Sequence, residues 1–104
     1  MDKKAIRERW QTMIAQAERL AETDNFIDAV ARAQRAHAEL SQTAGNASGA
    51  DRAWLEKDLY FCERELARLE AARDAWHAGV EARRNASVER ERRIYDEPLA
   101  VRAR

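Results

Sequence analysis

Asp74 and His77 place a carboxylate three positions before an imidazole on what reads as one helix face. Two copies of that spacing, together with two further carboxylates, build the dinuclear metal sites found inside helical bundles. The second copy is missing, because the other histidine, His37, has Gln34 and not an acid three positions before it. Nucleophilic chemistry has as little to stand on. The chain has three glycines and no glycine-rich loop to cradle phosphate. No serine occupies a strand-to-helix elbow. The one cysteine, Cys62, lies between Leu59 and Leu66 on an apolar stripe and reads as a small buried hydrophobe. A reactive thiol would need exposure and a neighbouring cation. These residues imply a non-enzymatic protein with no cofactor, no metal and no small-molecule substrate.

Residues suited to gripping another macromolecule are better represented. Aromatic side chains are frequent anchors of protein interfaces. Trp54, Tyr60 and Phe61 cluster near the start of a second helical stretch, and Trp10 and Phe26 lie on the first. Leu55, Leu59, Cys62 and Leu66 already give the second stretch one apolar seam, so Trp54 and Phe61 fall on a flank beside it. Trp10, Phe26, Trp54 and Phe61 are therefore the expected partner-binding residues. A homodimer forming a four-helix bundle is the favoured assembly, with a different protein partner as the other form of the same reading. A second reading uses charge. Seven arginines stand against four acids after residue 82. Of these, Arg83, Arg84, Arg90 and Arg93 are the candidates for contact with nucleic-acid phosphates. Interleaved Glu89 and Glu91 weaken that field, so a protein partner is preferred.

The elements that must position these residues are helices. Apolar side chains recur at Ile6, Trp10, Met13, Ala17 and Leu20, then at Phe26, Val30 and Ala33. They recur again at Leu55, Leu59, Cys62, Leu66, Leu69, Trp76 and Val80, in the three- and four-residue steps of a helix face. β-branched residues are sparse and do not alternate, which argues against strands. Gly45-Asn46-Ala47-Ser48 interrupts the pattern between stretches 3–44 and 49–94. Gly45 is placed as a glycine cap, and Ser48 stands three residues before Asp51 as in a capping box.

The expected fold is all-α: a long antiparallel, coiled-coil-like helical hairpin about the Gly45–Ser48 turn. It would pair Met13 with Val80, Ala17 with Trp76, Ile27 with Leu66 and Ala33 with Leu59 or Tyr60. Thr23-Asp24-Asn25, residues of poor helix propensity, mark the alternative, a break at 23–25 that makes a three-helix arrangement. Residues 1–95 read as a single helical domain and residues 96–104, with Pro98 among them, as a flexible C-terminal tail.

Composition agrees with long helices. Of 104 residues, 37% are charged, and alanine, arginine, glutamate and leucine dominate. Much of the apolar content is alanine, so the core should be thin, leaving surface to share with a partner. Zero net charge gives no global field toward nucleic acid or membrane. No apolar run approaches the roughly 20 residues that span a bilayer. Charge interrupts Met1 to Leu20 throughout, unlike a secretory signal. A cytoplasmic protein with no membrane partner is the expectation.

Overall fold

The computed structural model describes the backbone of residues 1–102 and the side chains of residues 1–94. Among the described residues every regular element is a helix: α1 (Lys3–Glu22), α2 (Phe26–Gly45) and α3 (Gly49–Arg102). The all-α class holds, and the chain takes the three-helix form with its break at residues 23–25. Helical backbone continues past Ile94 to Arg102, and the tail expected over 96–104 falls where no side chain is described. The chain divides into two compact units, Met1–Arg73 and Asp74–Arg104.

Local chemistry explains the first break. Asp24 adopts a positive φ of 62°, a left-handed conformation that aspartate tolerates better than most side chains. This reversal lets the Asn25 N–H donate to the Leu20 carbonyl at 2.9 Å and the Asp24 N–H to Ala21 at 3.1 Å. Those two crossed bonds satisfy carbonyls that a helix end otherwise leaves open. Thr23 Oγ1 adds a bond to Leu20 O at 3.1 Å, and Asn25 Nδ2 donates to that hydroxyl at 2.8 Å. The weak propensity of the three residues thus becomes a capped turn. At the opposite end Asp2 caps α1, its side chain accepting from the Ala5 N–H at 3.1 Å.

The second turn differs from expectation in detail. Gly45 is the last residue of α2, and Asn46 caps it in right-handed geometry. The left-handed glycine is Gly49, with φ 61°, where the chain enters α3. Asp51 does not close a box with Ser48. Its carboxylate accepts the Trp54 indole N–H at 3.1 Å instead.

Side-chain bonds fix the register of the first unit. Arg9 meets Glu39 and Gln16 meets Arg32, so α1 and α2 are antiparallel. His37 meets Glu63, which sets α3 along α2. Arg7 meets Asp58 and Glu18 meets Arg68, so α1 runs parallel to α3. This corrects the hairpin pairing. A two-helix hairpin makes residues 3–44 one arm antiparallel to α3, whereas the turn at Asp24 folds α1 back beside α2. Ile27, expected against Leu66, is 68% exposed.

The core is built largely from alanine. Ala17, Ala29, Ala33 and Ala36 are fully buried, and they lie among Trp10, Met13, Ile14, Val30, Leu40, Leu55, Cys62 and Leu69. Small side chains let two helix backbones approach closely, and the few large ones fill the remaining layers. In the second unit Trp76 and Val80 are half-buried and residues 81–94 are exposed.

Candidate functional site

Within one turn α3 carries two opposite settings. Asp58 is an acid on the apolar stripe, one helical turn from both Leu55 and Cys62, and it is 3% exposed. A bare carboxylate there would be costly, and α1 supplies its partners. Arg7 forks onto it, Nη2 to Oδ1 at 2.8 Å and Nε to Oδ2 at 3.1 Å, while the Trp10 indole N–H donates to Oδ2 at 3.0 Å. Burial pushes the Asp58 carboxyl up. The bonds from Arg7 and Trp10, with the charges of Arg7 and Lys3, more than reverse this and hold it below the usual carboxylate range. Among the described residues no buried side-chain polar atom lacks a partner.

Around the same helix, Tyr60 and Phe61 face outward, 56% and 54% exposed. Their rings meet edge to face at 5.6 Å, and the Arg64 guanidinium lies 5.8 Å from the Tyr60 ring centroid. Two aromatics and an arginine form an exposed patch. Exposed aromatic rings beside a guanidinium offer apolar area and cation–π contact to a partner.

The four expected partner-binding residues do not share one surface. Trp10 is buried and serves the Asp58 cluster, which removes it from any contact face of the folded chain. Trp54 is half-buried, tied to Asp51, with the Lys3 ammonium 5.6 Å from its ring centroid. Phe26, also half-buried, opens α2. Because α2 and α3 are antiparallel, Phe26 and Trp54 sit at opposite ends of the first unit. Phe61 alone is openly exposed, and its companion is Tyr60. Asp58 and Arg7 escaped the sequence reading, although one signal was present: a carboxylate in phase with Leu55, Cys62 and Leu69.

Arg83, Arg84, Arg90 and Arg93 all lie in the exposed segment 81–94. No ion pair engages them among the described residues. His77 is exposed and meets Trp76 edge to face, with ring centroids 5.2 Å apart. The described residues contain no group of three His, Cys, Asp or Glu side chains able to hold a metal ion. Cys62 is fully buried, and burial, followed by the charges of Glu63 and Glu65, raises its thiol to about 11. At neutral pH it stays protonated and inert. No described helix is long and apolar enough to cross a membrane. No protein-family model, curated protein or solved structure matches the chain.

Proposed function

We propose that the protein is a non-enzymatic helical interaction module that associates through the outward aromatic face of α3, acting in the cytoplasm as an adaptor, inhibitor or assembly factor. The observation that carries this reading is the Tyr60–Phe61 pair, both residues more than half exposed and in edge-to-face contact beside Arg64. Tyrosine and arginine are enriched among residues that dominate binding energy. A second copy of the chain is the favoured occupant, because two such faces stack aromatic on aromatic in a symmetric interface. The test is mass in solution across concentration for the parent and for Tyr60→Ser/Phe61→Ser. A dimer that dissociates on substitution supports the reading. A parent that stays monomeric at every concentration removes self-association and leaves a different protein as the partner.

The second reading is nucleic-acid binding through Arg83, Arg84, Arg90 and Arg93. It is supported by their shared exposure in 81–94. Binding through several phosphates weakens steeply as salt rises. Titration of DNA and RNA at low and high salt distinguishes it from the aromatic interface, whose salt dependence is shallow.

A further inference from the structure

The α1–α2 hairpin has two sides. Arg7, Trp10 and Glu18 of α1 and His37 of α2 point toward α3. Turned away from these is an open groove of about 580 Å³, its lining including the apolar Leu20 and Ala31 and the basic Arg19, Arg32 and Arg35. A second hollow continues it toward the start of α1, sharing Gln16, Arg32 and Arg35.

The charge along this groove is poorly compensated. Arg32 donates through Nε at 2.9 Å and Nη2 at 2.7 Å to the same Gln16 Oε1, a neutral oxygen that orients the guanidinium without cancelling its charge. Arg35 lies 3.5 Å from Glu39, but Arg9 already holds both oxygens of that carboxylate. Arg19 has no ion pair among the described residues. Asp28 is the one acid lining the groove itself, and Glu8 lines the hollow that continues it.

We propose that this groove binds an acidic amphipathic helix of a protein partner. Leucine-like side chains would rest against Leu20 and Ala31, and flanking carboxylates would meet Arg19, Arg32 and Arg35. A helix laid between two antiparallel helices completes a four-helix arrangement. Arginine is the cation suited to forked recognition of carboxylate. Nucleic acid fits less well, since its phosphates gain nothing from the apolar Leu20 and Ala31 in the lining. The surface lies on α1 and α2 and does not depend on the aromatic face of α3.

The test follows backbone amides of the full chain by NMR during titration. The probes are a synthetic helix-forming peptide with leucines one turn apart flanked by glutamates, its lysine counterpart, inorganic phosphate, and a single-stranded RNA. The acidic peptide should give saturable shifts confined to residues 16–20 and 28–35. Arg32→Gln/Arg35→Gln should weaken it at least about ten-fold, and Tyr60→Ser/Phe61→Ser should not change it. Should the double arginine variant lose helicity, the exposed Arg19→Gln replaces it, with a several-fold loss expected. No saturable response, a response unchanged by the arginine variants, an equal response to phosphate, or tighter binding of RNA would each overturn the proposal.

Discussion

Asp58 and Tyr60 are two residues apart on α3 and have exchanged the places their chemistry would suggest. The carboxylate is inside and the ring, with Phe61 beside it, is outside. At about 100° per residue, two positions turn a side chain more than halfway round the helix, so the geometry is ordinary. The energetics differ. Asp58 is buried because α1 delivers a guanidinium and an indole N–H to it, whereas Tyr60 and Phe61 are exposed because neither α1 nor α2 covers that flank. At these two positions burial is decided by what the other helices bring to each face, against the apolar-inside pattern that Leu55, Cys62 and Leu69 keep.

The comparison breaks most sharply at Asp58. Asp58→Ala removes three hydrogen bonds and leaves the Trp10 indole N–H buried without an acceptor. Arg7, partly exposed, turns back to water, which moderates the loss. The expected cost is about 2–3 kcal/mol, read as a lower urea midpoint at unchanged slope. Acid is a milder form of the same cut. Since the folded carboxyl lies below its unfolded value near 3.9, its contribution is complete above about pH 4 and fades as pH falls through the folded value. Urea midpoints of the parent should therefore drop on acidification more than those of Asp58→Asn, in which that titration is gone.

How much of this was legible beforehand follows from the same contrast. Helical periodicity showed the class of fold, the turn at 45–48 and the weak point at 23–25. The choice between hairpin and three helices rests on Asp24, whose left-handed backbone leaves no periodic trace. Trp10 read as an anchor for a partner because aromatic type and spacing resemble an interface and a core equally. Its Asp58 acceptor lies far away in sequence and becomes a neighbour only once α1 folds parallel to α3. Phe61 was legible as lying on a flank, because the Leu55–Leu66 seam already accounts for the other face. The α1–α2 groove was not, since its arginines belong to two helices whose pairing the hairpin register would have separated.

Cys62 sharpens the comparison from inside the core. It lies one turn beyond Asp58 on the same face and is fully buried, but no helix sends it a donor. Cys62→Ser changes little volume and adds a hydroxyl whose ready partner is the backbone carbonyl a turn earlier, an interaction that strains the helix slightly. The expected loss is about 1–2 kcal/mol. A loss below about 0.5 kcal/mol in denaturant melts would mean that the carbonyl satisfies the hydroxyl fully, so that on this face only a charge such as Asp58 needs donors from another helix.

The smallest stability effect belongs to the outer face. Tyr60→Ser/Phe61→Ser removes two rings that the folded chain leaves more than half in water, so folding loses little burial on their account. The edge-to-face contact and the Arg64 cation–π contact are exposed and correspondingly weak. Together they should cost at most about 1 kcal/mol, measured on dilute protein where any self-association is absent. A larger loss in dilute solution would place the pair within the fold's own support and end its candidacy as a docking face. If the loss instead appears only as concentration rises, the rings are stabilising an assembly. Comparing urea midpoints at two protein concentrations separates the two cases, because stability linked to association grows with concentration while intrachain packing does not.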